Sequence, residues 1–155
     1  MPLKKLKEFL DTHDVKYVTI SHSPAYTAQE IAACAHIPGK ELAKTVVVKL
    51  DERPALVVLP ASYQVDFDLL RLATGARSVE LATEYEMLEE FPECDVGAMP
   101  PFGNLFGVEV YVADSLAEDE KIAFNAGSFT ELVQLPYRDF ARLVKPTVLK
   151  IASKV

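Results

Sequence analysis

The sequence predicts one α/β domain of the α+β kind, a mixed sheet with helices packed around it. Three observations carry this. Helical and β patterns interleave along the chain. Several strand pairs are joined by turns too short for a crossover helix, which a purely parallel doubly wound fold does not permit. No repeat, low-complexity segment or interdomain linker divides the 155 residues. Residues 1–155 therefore read as a single domain, long enough to bury about two-thirds of the surface its unfolded chain exposes.

The elements follow from local pattern. Leu3, Leu6, Phe9 and Leu10 recur at helical spacing, which predicts an amphipathic helix over 3–13. Tyr17–Ile20 is a short strand. Thr27 and Glu30 have capping-box spacing and open a helix that stops before Pro38. Leu42–Leu50 is β-rich, and the turn Asp51–Pro54 passes it to Ala55–Leu59, making a hairpin. Asp66 caps a helix ending near Gly75, and Ser78–Leu81 is a brief strand. Thr83 and Glu86 form a second capping box, opening a helix that ends before Pro92. Strands are expected at about 105–113, 121–125 and 130–135, and Pro136 introduces a last helix, Tyr137–Val144.

Composition narrows the function. Half the residues are hydrophobic and 25% are charged, too apolar for disorder. No apolar run approaches the roughly 18 to 20 residues that span a bilayer. The basic N-terminus has helically spaced apolar residues and no cleavage-like site, so it reads as a first helix and not a signal peptide. Cys34 and Cys94 lack metal-type spacing and read as reduced core thiols of a cytoplasmic protein. A net charge of −7, with seven acids and no base from Glu80 to Asp95, argues against a nonspecific DNA or RNA binder.

Two features stand out from this background. Asp95–Gly103 holds Gly97, Gly103 and the pair Pro100–Pro101 alongside Ala98, Met99 and Phe102. Surface loops are ordinarily polar, whereas this one is apolar and stiffened by two fixed φ angles. It reads either as a preformed wall presenting backbone N–H groups to a ligand, or as a packed Ω-type loop without chemistry. Lys44 is the second. Strand alternation puts it on the face of Val46, Val48 and Leu50, where a lysine either snorkels out or enters a cavity with its charge desolvated.

Weaker candidates are Asn125, Gly127 and Ser128 at a strand end, which equally suit an ordinary turn, and His22 between a strand and a capped helix. The sharper signatures GxSxG, GxxxxGK[ST], HExxH and GxGxxG are absent. Three histidines and two scattered cysteines do not make a metal site.

The segments His22–Thr27, Ala43–Val48, Gly97–Gly103 and Phe124–Gly127, in this order, resemble the YbaK/ProX family of aminoacyl-tRNA editing domains. That family is similar to the editing domain inserted in bacterial prolyl-tRNA synthetase, and the resemblance covers nearly the whole chain. It implies a mixed, partly barrel-like sheet, ester hydrolysis at the 3′ end of mischarged tRNA, and neither metal nor organic cofactor. Lys44 matches the family's strand lysine, Gly97 and Ala98 the start of its glycine-containing loop, and Pro101 and Gly103 the end of that loop. Asn125–Ser128 matches the strand end that usually carries a small polar residue or histidine. Ala98 stands where some relatives have a second glycine, and Ser128 near where others have histidine.

In this reading Lys44, Gly97, Ala98, Asn125 and Ser128 are the catalytic set. His22, Thr27, Met99, Pro100, Pro101, Phe102, Gly103 and Gly127 surround the substrate. The implied activity is trans-editing removal of a wrongly attached small amino acid from tRNA. The acidic balance is compatible with this if only the CCA end enters the site, or if an aminoacyl-tRNA synthetase delivers the tRNA. No membrane or DNA partner is expected. The alternatives are a noncatalytic module that binds tRNA 3′ ends or a small aminoacyl ligand, and a hydrolase for another small acyl ester.

Overall fold

The computed structural model describes residues 2–21, 41–95, 98–128 and 130–154. The expected helix after Thr27 lies outside them. Helix α1 (Pro2–Thr12) is followed by β1 (Val18–Ser21), then by the hairpin β2 (Ala43–Leu50) and β3 (Arg53–Pro60). Next come β4 (Tyr63–Val65), α2 (Phe67–Thr74), β5 (Val79–Leu81) and α3 (Glu84–Glu90). A 3-10 turn (Gly103–Leu105) leads to β6 (Glu109–Ala113), α4 (Asp114–Ala117), β7 (Lys121–Asn125) and β8 (Glu131–Pro136). The chain ends with α5 (Tyr137–Val144), β9 (Thr147–Leu149) and β10 (Ala152–Lys154).

Capping chemistry sets the helix ends as the sequence foretold. Asp66 Oδ1 accepts the Leu69 N–H at 3.0 Å, and Gly75 ends α2 at φ 75° with its N–H on the Arg71 carbonyl. Thr83 and Glu86 complete a reciprocal capping box on α3. The hairpin is tighter than expected: Asp51 and Glu52 both have positive φ, so two residues suffice and β3 begins at Arg53. The strand expected from 105 begins at Glu109, because the 3-10 turn and Gly107 at φ 71° occupy its first residues. β4, α4, β9 and β10 are additional elements of three or four residues.

The strands form a five-stranded sheet of order β5-β2-β3-β6-β9, a three-stranded sheet β1-β8-β7 and the pair β10-β4. β2 runs antiparallel to β3 and β5, whereas β3, β6 and β9 run parallel, so the large sheet is mixed. These sheets do not close into a barrel. Apolar side chains cover both faces of the large sheet. Leu56 and Val58 of β3 pack with α1, Phe102, Phe124 and Phe140. Ala55, Val57 and Leu59 face the other way, onto Leu70 and Ile151. Burial on both faces explains why β3 reads as a continuous apolar run without alternation.

One junction positions everything that follows. Leu42, just before β2, makes a parallel bridge with Ala123 of β7, and Ala123 donates its N–H to the Glu41 carbonyl at 2.9 Å. Further along the same edge, β5 pairs with Val48–Leu50. β2 thus passes from one sheet to the next, with Lys44 just beyond the crossing.

Candidate functional site

Lys44 and Asn125 each stand two residues beyond the Leu42–Ala123 bridge, on strands running in the same direction. Bridge partners share a face, and alternation returns two residues later to that face. The flanking residues agree: Ala43 and Val47 on β2, and Phe124 on β7, all pack into the cluster around Phe102. Lys44 and Asn125 therefore both point away from that cluster, each two residues past the bridge.

The electrostatics fit a site that is incomplete without a ligand. Lys44 is half-buried and has no ion pair or hydrogen bond among the described residues. Desolvation alone lowers its pKa from the usual lysine value. Among the described residues the buried Asn125 Oδ1 finds no donor, and the buried hydroxyl of Thr45 no partner. Thr45 was not among the residues the sequence singled out, and its signal is a hydroxyl on the inward face of an apolar strand. A buried polar atom left unpaired costs about 1–3 kcal/mol.

The loop reaches this strand end through its backbone. Ala98 accepts the Gly127 N–H at 2.8 Å, and the Gly127 carbonyl receives the Asp95 N–H at 2.8 Å. Residues 98–103 are all buried. Met99 and Phe102 spend their side chains on the core, where Phe102 meets Phe9, Phe124 and Phe140 with ring centroids 5.4 to 6.1 Å apart. Gly103 sits where an added Cβ would lie 2.5 Å from Val110 Cγ2 and 2.6 Å from the Val108 carbonyl oxygen, so it is demanded by packing. Lys5 of α1 secures the far end by donating to the Leu105 carbonyl at 3.0 Å. Gly127 has φ 100°, and Ser128 Oγ faces Thr130 at 3.4 Å in a local turn.

Of the residues singled out in the sequence, Lys44, Ala98, Asn125, Gly127 and Ser128 thus gather around the β2/β7 junction and the loop seated on it. Met99, Pro100, Pro101, Phe102 and Gly103 form the buried body of that loop. His22, Thr27 and Gly97 lie outside the described residues. Cys34 does too, while Cys94 is buried with its thiol pushed up to about 11, mainly by desolvation. Among the described residues no group of three His, Cys, Asp or Glu side chains stands together to hold a metal. A cavity of about 480 Å³ lies at the opposite end of the hairpin, lined by Asp51, Arg53, Gly75 and Tyr111 among others.

This architecture defines a mixed α/β domain with a lysine just past a sheet junction and a proline-rich loop hydrogen-bonded to the end of the strand that makes it. The chain belongs to the aminoacyl-tRNA editing domain family, whose sequence model matches residues 22–143. It is 32% identical over 89 residues to proline–tRNA ligase of Bacillus cytotoxicus, covering 57% of this chain and 16% of the ligase. The proline–tRNA ligase of Bacillus cereus is 28% identical over the same length. The matched region is thus less than a fifth of the length of these curated relatives. Among solved structures, a proposed trans-editing enzyme for prolyl-tRNA synthetase superposes with a TM-score of 0.84 at 18% identity, covering 98% of this chain and 97% of that one. A hypothetical protein superposes with a TM-score of 0.87 at 20% identity, over 96% and 99% of the two chains. At those identities the likeness is one of fold. No helix among the described residues is long and apolar enough to cross a membrane.

Proposed function

We propose that the chain is an aminoacyl-tRNA deacylase that acts in trans in the cytoplasm, hydrolysing the ester between a wrongly attached small amino acid and the tRNA 3′ end. The observation that carries the reading is the half-buried Lys44, without a counter-ion among the described residues and beside the same strand bridge as Asn125, whose carbonyl has no partner among them. A scaffold would gain stability by making that position apolar.

The chemistry asks little of the protein. An aminoacyl ester is already activated, so a held water and a stabilised oxyanion suffice. The Lys44 cation and the Gly97 backbone N–H are the proposed stabilisers, a good donor being worth about 2.7–4 kcal/mol. The Ala98 N–H, also expected in that role, is already donated to the Asp95 carbonyl at 3.0 Å. Asn125, which ends β7, and Ser128 in the turn after it are the proposed polar groups that hold the water. No strong nucleophile is needed, in keeping with the buried, inert thiol of Cys94. Alanine, serine, cysteine and threonine are the proposed amino acids. The CCA end is the proposed contact, with a synthetase as the partner that offsets the acidic surface.

Deacylation of a panel of tRNAs mischarged with these four amino acids tests the reading. At least one ester should be released by the wild-type protein and spared by Lys44→Ala. Release no faster than spontaneous hydrolysis across the whole panel would leave a noncatalytic binding module.

A further inference from the structure

Asn125 poses a problem that the deacylase reading does not resolve by itself. Its buried carbonyl oxygen accepts nothing among the described residues, although it ends a strand whose preceding residues are fully used in ladder and core. An acceptor in that position calls for a donor brought by the ligand. Lys44 stands two residues beyond the same bridge, on the same side of its own strand as Asn125 is of β7. Two polar groups on one side of such a junction can engage two polar groups of one amino acid.

The residue type matters as much as the place. A carboxylate at this position would meet the lysine cation directly, tie it up in an ion pair and remove it from the reaction. An apolar residue would leave a polar ligand group unpaired. A neutral amide does neither: it offers an acceptor to a cationic donor while Lys44 stays available. An aminoacyl ester carries one such donor next to its carbonyl, the α-ammonium group, with three N–H bonds.

We infer that Asn125 Oδ1 accepts a hydrogen bond from the free α-ammonium group of the substrate while Lys44 serves the adjacent ester carbonyl, which makes the site selective for esters with an unblocked amino group. The inference rests on the deacylase reading and restricts its substrate class. Ordinary carboxylic esters of tRNA and N-blocked chains, peptidyl-tRNA among them, fall outside that class because they lack the charged donor. The site would thereby discriminate between correction of a mischarging error and destruction of a growing chain.

The test compares the ester released fastest in the panel with its deamino analogue, propionyl-tRNA in the case of alanyl-tRNA, and with its N-acetyl form. Rates are corrected for spontaneous hydrolysis. A hydrogen bond to a charged group is worth about 1.5–3 kcal/mol, so the wild-type kcat/KM should favour the amino ester over the deamino ester by about 10- to 100-fold. In Asn125→Leu, an apolar replacement of similar volume, the ratio should collapse to within about threefold. Asn125→Asp should lose activity on both esters as Lys44 is captured. Melting curves for both variants, with Asn125→Ser as a smaller substitute, check that each is folded. Equal wild-type rates on amino and deamino esters would overturn the inference, and so would a ratio preserved in Asn125→Leu, while the deacylase reading would survive either result. Absence of release from every ester would overturn both.

Discussion

Gly127 donates its backbone N–H to the Ala98 carbonyl and receives the Asp95 N–H on its own carbonyl, both at 2.8 Å. This reciprocal pair fastens the proline-rich loop to the end of β7, the strand that bridges to the start of β2. Loop, strand end and lysine are therefore referenced to one another by backbone geometry, which tolerates side-chain change. The exchange of glycine for alanine at position 98 leaves that hydrogen bond available, since it uses the carbonyl oxygen alone.

Lys44→Met should reduce deacylation by about 100- to 1,000-fold, the range for loss of one oxyanion-stabilising donor. Its melting temperature should equal or exceed that of the wild type, because a desolvated charge without an ion pair among the described residues is removed. A structural lysine paired with a buried carboxylate would instead cost about 3–5 kcal/mol on removal. A pH series adds a sign. The folded-state pKa is lowered, so the unfolded chain binds the extra proton between that pKa and 10.5. The Lys44 penalty should shrink as pH rises through this window, and the stability gap between variant and wild type should narrow with it.

Gly103→Ala should fold poorly, for a reason unrelated to chemistry. The new methyl would meet Val110 Cγ2 and the Val108 carbonyl, and the latter is backbone that cannot swing aside. A loss of about 1–3 kcal/mol in chemical denaturation is expected, the cost of overpacking. A neutral result would mean that the 3-10 turn yields more readily than its packing implies.

Glu86 is held at a pKa of about 2, first by its hydrogen bond from Lys49 at 2.8 Å and then by the Thr83 backbone N–H. Its unfolded value is 4.5, so its stabilising contribution is complete above that pH and is lost as pH falls toward 2. Glu86→Gln keeps the cap but not the charge. Thermal melts should show the wild type ahead at pH 7 and the two proteins converging as pH drops below about 4. A difference unchanged at pH 2 would assign the effect to capping alone.

Asp66→Ala should cost about 1 kcal/mol through loss of the α2 cap, and Asp66→Asn much less, since an amide oxygen can accept the same Leu69 N–H. Urea midpoints for the two variants give the comparison. Equal losses in both would point to the charge and not to the hydrogen bond.

Much of the fold was legible because its signals are local. Both described helix caps, the β2/β3 hairpin and the limits of α5 come from residues within a few positions of one another. The short elements β4, α4, β9 and β10 carry no such signal. Three residues such as Ala152–Lys154 become a strand only because Tyr63–Val65 offers an edge, a fact of tertiary structure. At the site, alternation alone set Lys44 on its face, and the composition of 98–103 foreshadowed burial. The partnership of Lys44 with Asn125 was not legible, because it depends on a bridge between Leu42 and Ala123 that no spacing announces. The loop's apolar side chains were expected around the substrate, whereas Met99 and Phe102 turn inward to hold the core.

The Leu42–Ala123 bridge joins segments separated by roughly half the chain. Neighbouring residues can zip the β2/β3 hairpin early, but this crossing must await closure of a long loop, an entropic cost met late in folding. The junction that aligns Lys44 with Asn125 should therefore be among the last regions to acquire native order. A protein interrupted shortly before that closure would hold most of its helices and its hairpin, yet have no competence toward an ester. Burst-phase circular dichroism set against recovery of hydrolysis during refolding would expose the lag.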